Sequence, residues 1–137
     1  MSKEALKEAL KTIMGKARDG DVEGSYDGYG ALFGDPIFAA NTPQDQRQVL
    51  KLFILAKRGG QPSEKLIAAH RAAIPALTEL VSSHNEPEDY EMLGVCWQLA
   101  GNEQAASNMY RQGLALERER NPQSDLCGRL MTRVSQI

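Results

Sequence analysis

Residues 90–110 read YEMLGVCWQLAGNEQAASNMY. Tyr90, Leu93, Gly94 and Trp97 stand at i, i+3, i+4 and i+7, so a helix places them on one face. Gly101-Asn102 interrupts that pattern. Ala106 and Tyr110 then share a face of a second helix. The spacing predicts a helix–turn–helix hairpin in which Gly94, opposite Ala106, lets the two backbones approach closely. The rings of Trp97 and Tyr110 fill the space on either side, and Trp97 is expected to be buried. An ordinary αα-hairpin with an aromatic core would use the same residues.

Outward from this stretch the chain reads as helices separated by short punctuation. Apolar residues at Leu6, Ala9, Leu10, Ile13 and Ala17 predict a helix over 3–18, stopped by Asp19-Gly20. Val22, Tyr26, Tyr29 and Leu32 keep helical spacing over 21–33. Five glycines crowd into 20–34, however, and each inside a helix costs about 1 kcal/mol against alanine. Thr42-Pro43 looks like an N-cap with proline in the first turn, opening a helix over 44–58 with Val49, Leu52, Phe53 and Ala56 on one face. Between these two lies a connection containing Ile37 and Phe38. A further helix starts near Ser63 and runs through Leu66, Ala69, His70, Ala73 and Leu77, with Pro75 expected to kink or split it. Helices over 87–100, 102–118 and 124–136 complete a count of seven, the last with Cys127, Leu130, Met131 and Val134 as its stripe.

Composition agrees with an all-α chain: 16 alanines and 15 leucines stand against only 15 Val, Ile and Thr together, and β-branched residues are what a sheet prefers. At 137 residues the chain can bury a core without staples. A net charge of −2 leaves no electrostatic footprint for nucleic acid or a membrane surface. No apolar run reaches the ~18 residues of a membrane span. The charged start MSKEALKEALK is not signal-like, which points to the cytoplasm.

The 90–110 stretch resembles the tetratricopeptide repeat (TPR). Tyr90 stands at that family's first aromatic position, Leu93-Gly94 at its Leu-Gly pair, Trp97 at the next aromatic, Ala106 at its small contact position and Tyr110 at the following aromatic. Gly113 departs from the usual alanine, and the proline expected after the second helix comes late, at Pro122. Gly20, Gly60 and Gly101 recur at intervals of 40 and 41. Gly20, Ser25 and Tyr29 repeat the spacing of Gly101, Ala106 and Tyr110, whereas Gln61-Pro62 reads as an insertion in the middle unit. The resemblance is strong over about 87–120 and architectural elsewhere. It implies a single domain over 1–137: a superhelix of about three hairpins, near 2–33, 43–83 and 87–120, with a C-terminal capping helix at 124–136.

The resemblance also implies a non-enzymatic protein-interaction module whose concave groove is lined by the first helix of each hairpin. The groove positions carry over to Arg47, Leu50, Lys51, Ile54, Lys57 and Arg58 in the middle hairpin. In the last hairpin they fall on Glu88, Glu91, Met92, Val95, Gln98 and Leu99. The expected groove has an apolar floor, a basic middle and an acidic end, suited to a peptide or partner helix with a few apolar anchors. The same charges would equally suit the solvated face of amphipathic helices. Glu88, Glu91 and Val95 do not fit the carboxylate clamp of some TPR domains. An alternative is a small chaperone holding a type III secretion client, and self-association as a homodimer through an end helix is compatible with three units.

No residue pattern points to a catalytic centre, cofactor or metal. His70 lies on an apolar face and reads as a packed histidine, and His84 as a helix C-terminal residue favoured by the dipole. Cys96 and Cys127, 31 positions apart, read as small hydrophobes. The stretch GDVEGSYDGYGALFG is not a phosphate loop: it lacks the Gly-Lys-Ser/Thr ending, and Asp19, Asp21, Glu23 and Asp27 repel phosphate. A helix with glycines where another helix crosses is the better reading.

Overall fold

A glycine at each predicted helix–helix turn sets the chain's direction. Gly20, Gly60 and Gly101 all take positive φ, at 91°, 74° and 88°, the left-handed region that side-chain-bearing residues avoid. Around Gly20 and Gly101 the hydrogen bonding is the same, atom for atom. Asp21 N–H donates to the Lys16 carbonyl and Gly20 N–H to Ala17, just as Asn102 N–H donates to Trp97 and Gly101 N–H to Gln98. This pair of bonds is the Schellman closure of a helix C-terminus. The next side chain then starts the following helix: the Asp21 carboxylate accepts Gly24 N–H at 2.9 Å and the Asn102 amide oxygen accepts Ala105 N–H at 3.0 Å. At the middle turn the cap comes later, where Ser63 Oγ accepts Leu66 N–H at 3.1 Å. Gln61-Pro62 stands between the turn glycine and that cap.

The computed structural model describes residues 2–137, and among them there are eight helices and no strand. They are α1 (Ser2–Arg18), α2 (Val22–Phe33), α3 (Pro36–Ala39), α4 (Pro43–Ile54), α5 (Glu64–His84), α6 (Pro87–Leu99), α7 (Glu103–Arg120) and α8 (Asp125–Ser135). The arrangement is compatible with a helical repeat. No helix among the described residues is long and apolar enough to cross a membrane.

Three expectations change. The 36–39 connection is a one-turn helix, because Asp35 accepts Ile37 N–H at 2.9 Å and Pro36 supplies a preset first residue; it buries Phe38 completely. Helix α4 stops at Ile54 rather than at 58, so Lys57 and Arg58 belong to a loop. The Arg58 guanidinium lies over the Phe53 ring, 4.8 Å from its centroid, and over Tyr26 at 5.5 Å, which holds the departing chain against the rings. Of the kink or split expected at Pro75 the split does not occur, and helix α5 continues through it. Pro75 and Arg71, whose carbonyl loses its intrahelical donor, are both exposed, so solvent is available to that carbonyl.

The chain divides into two compact units, Met1–Ala76 and Leu77–Ile137. The N-terminal unit is built on aromatic packing. Phe53, fully buried, packs at a tilt against Tyr29 at 4.6 Å, Phe33 at 5.7 Å and His70 at 4.5 Å, and Phe33 meets Phe38 edge-on at 5.2 Å. The glycine-rich segment is helical here because Gly28 faces α1: a Cβ on it would stand 2.7 Å from Ile13 Cγ1.

The C-terminal unit packs α6, α7 and α8 around Ala106, Tyr110, Leu114, Cys127 and Leu130. Gly94 makes the slot for the Tyr110 ring, which a Cβ there would overlap; the close approach it permits is to that ring rather than to Ala106. Tyr110 and Tyr90 are the buried rings of this hairpin, and Trp97 only edges the cluster, half-buried. Helix α8 is tied in at its start by Ser124, whose Oγ accepts Cys127 N–H and donates to Glu117 Oε2 at 2.6 Å.

Candidate functional site

Two charged side chains of α6, Asp89 and Glu91, are fully buried, and Glu91 is the one clamped from α8. It lies on α6, fully buried, and α8 brings two arginines to it. Arg129 donates through Nε and Nη2 to its two oxygens, at 3.1 Å each, and Arg133 Nε donates to Oε2 at 2.8 Å. Burial pushes the Glu91 carboxyl up, but the hydrogen bonds and charges of Arg129 and Arg133 outweigh it and hold the group below the ordinary carboxylate range. Arg133 also lies over the Tyr110 ring at 5.7 Å. Burial raises the Tyr110 hydroxyl to about 12, and that hydroxyl donates to Gln98 Oε1 at 2.8 Å. Glu91, placed in a partner groove by the sequence pattern, is therefore the anchor of α8.

The other expected groove residues divide between the two units. In the N-terminal unit Leu50 and Ile54 are buried, because α4 is covered over a wide arc that also takes Gln46, Val49 and Phe53. Lys57 and Arg58 are exposed on the loop. In the C-terminal unit Met92 is buried, Val95 packs on the Tyr110 cluster and Leu99 is half-buried. Arg47, Lys51 and Glu88 each have a partner within the chain. The apolar floor read at Leu50, Ile54 and Met92 is thus interior rather than open surface. Apolar periodicity marks such residues in the same way whether one side of a helix is covered or two.

An open apolar cleft does exist, between α1 and α4. Helix α1 contributes Lys3, Leu6, Lys7 and Leu10, and α4 contributes Asp45, Gln48, Val49 and Leu52. Its floor is Leu6 and Val49, both buried, while Leu52 stands 51% exposed at the rim. At about 130 Å³ it is smaller than the ~300–1,000 Å³ pockets that enclose small-molecule ligands. It has room for aliphatic side chains pushed in from a partner. None of the α1 residues stood among the expected groove positions. The signal that could have found them is the pair of lysines at i and i+4 beside leucines at the same spacing. A second depression, between α1, α2 and α3, is walled by Ala5, Ala9, Gly28 and Ala31 with Ile37 and Asp35 among its lining.

Three of the groups weighed for chemistry, His70, Cys96 and Cys127, are closed in, whereas His84 is exposed at the end of α5. His70 is buried and donates Nδ1–H to the Leu66 carbonyl at 2.8 Å; burial lowers it to about 4, so the ring is neutral near pH 7. Cys96 and Cys127 are buried free thiols, and burial pushes Cys96 far up, away from the thiolate that nucleophilic chemistry needs. Among the described residues no three His, Cys, Asp or Glu side chains gather in a way that could hold a metal ion. No protein-family model, no curated protein and no solved structure matches this chain.

Proposed function

We propose that the protein is a non-enzymatic interaction module of TPR-like helical hairpins, and that a protein or peptide partner binds in the α1–α4 cleft. The observation that carries this reading is the cleft itself: a buried aliphatic floor, a half-exposed leucine at the rim and lysines along one edge, in a volume suited to side chains. The TPR-like part is supported by the Gly20 and Gly101 turns, which share the same two closing hydrogen bonds and the same side-chain cap 81 residues apart. Burial of His70, Cys96 and Cys127 supports a binding role over a catalytic one.

The reading is tested by selecting a displayed random-peptide library on the intact chain and comparing the survivors on Leu52→Asp. Leu52 is exposed, so this variant keeps the fold and places a charge in the cleft. Peptides that lose at least about tenfold in affinity on the variant, roughly 1.4 kcal/mol, support the reading. Survivors that bind both proteins equally, or a library that yields none, overturn it.

A further inference from the structure

The lining of the α1–α4 cleft has a regular geometry. Lys3, Leu6, Lys7 and Leu10 stand at i, i+3, i+4 and i+7 of α1, and Asp45, Gln48, Val49 and Leu52 stand at the same intervals of α4. Each helix therefore offers one continuous two-turn ridge, about 10 Å long at 1.5 Å per residue. Two such ridges with an apolar trough between them form the kind of groove that a ridge on a third helix fills. A helix also satisfies its own backbone hydrogen bonds, which suits a trough whose floor, Leu6 and Val49, is aliphatic.

Charge then sets the partner's edge. Lys3 and Lys7 form the α1 rim, Lys11 continues the row outside the cleft, and none of the three pairs with a carboxylate among the described residues. The α4 rim carries Asp45 and the neutral Gln48. We propose that the cleft takes an amphipathic α-helix whose apolar stripe seats between Leu10 and Leu52 and whose acidic residues, spaced i and i+4 along one edge, face Lys3 and Lys7. This rests on the interaction reading above and names the chemistry of its partner.

Three capped synthetic helical peptides of about 18 residues, long enough to hold helix, test it. They share one leucine stripe and differ only in carrying Glu, Gln or Lys at the flanking positions. Their affinities for the intact chain are read by fluorescence anisotropy at low and high salt. The Glu peptide should bind about tenfold tighter than the Gln peptide, the Lys peptide weakest, and the gap should close with salt. The variant Lys3→Glu/Lys7→Glu should reverse the order, and Leu52→Asp should weaken all three. Binding by the Gln or Lys peptide as tight as by the Glu peptide, an order unchanged in the lysine variant, or no binding of the Glu peptide overturns the inference. Library selection that yields neutral or basic peptides sensitive to Leu52→Asp would keep the interaction reading and remove only the acidic helix.

Discussion

The hairpins α1–α2 and α6–α7 turn on identical hydrogen bonds yet distribute bulk in opposite ways. Seven residues before the turn glycine, α6 has Gly94 where α1 has Ile13; nine residues after it, both second helices have a tyrosine, Tyr110 and Tyr29. In α6–α7 the glycine sits on the first helix and the tyrosine of the second fills its slot. In α1–α2 the isoleucine occupies the equivalent place, and the relief comes from Gly28 on the second helix. Tyr29 is thereby displaced from the hairpin seam and packs on Phe33 and Phe53 at 5.9 and 4.6 Å. One backbone design thus supports two small-to-large complementarities. The inversion also explains why only 90–110 carries the aromatic and Leu-Gly signature: with bulk on the first helix, that signature has no room.

The largest break in this comparison comes from the tyrosines. Tyr110→Ala should cost about 3–5 kcal/mol in urea unfolding, as a fully buried ring leaving a cavity. Tyr29→Ala, half-buried, should cost about half as much, with the loss arising in the aromatic cluster. Equal losses would mean that Tyr29 occupies the same kind of slot as Tyr110.

Acid separates the two units next. His70 takes a proton in the unfolded chain near 6.5 but in the folded N-terminal unit only near 4. Its folded value is depressed, so the unfolded state binds the proton first and stability falls as pH drops from 6.5 towards 4. Between pH 7 and pH 5 the loss should be about 2 kcal/mol, and His70→Leu should flatten it. Glu91 is also depressed when folded, but its contribution is present above the ordinary carboxylate value and is lost only as pH falls below it. Unfolding curves at pH 5 should therefore be unaffected by titration of the Glu91 clamp. Glu91→Gln should cost about 2 kcal/mol at pH 7, less than a fully buried pair because both arginines are partly exposed and can rehydrate. It should leave the slope between pH 5 and 7 intact; a slope that vanished in Glu91→Gln would assign it to the wrong unit.

The finest test is at the glycines. Gly94→Ala drives a methyl into a rigid ring and should cost about 1–2 kcal/mol, the overpacking penalty less the gain in helix propensity. Gly28→Ala meets Cγ1 of Ile13, a buried β-branched side chain with little χ1 freedom in a helix but an aliphatic one that can give by tenths of an ångström, and should cost about 0.5–1 kcal/mol, less than Gly94→Ala. Thermal melts of the two variants check the difference. Equal effects would dissolve the distinction between ring-filled and aliphatic seams.

Much of the fold was legible because its determinants are local. The turn glycines, the Thr42 cap and the proline starts of α4 and α6 act within about five residues, and the sequence displays them directly. The exposed pair Lys3 and Lys7 was equally visible, but nothing local said which partner ridge would face it. Leu50 and Leu52 look alike on paper; one is buried and the other half-exposed, according to how many neighbours cover α4.

An all-helical chain, the places where it reverses and the hairpin at 90–110 follow from residues close to one another along the chain. Helix propensity, backbone sign at glycine and capping are short-range properties. That Glu91 is interior depends on long-range packing, since its partners Arg129 and Arg133 lie 38 and 42 residues away. The same holds for the departure of Tyr29 from its seam and for the course of the open cleft between α1 and α4 rather than over Leu50 and Met92. Burial belongs to the neighbours that a folded chain brings together, and a helix shows its stripe without showing what covers it.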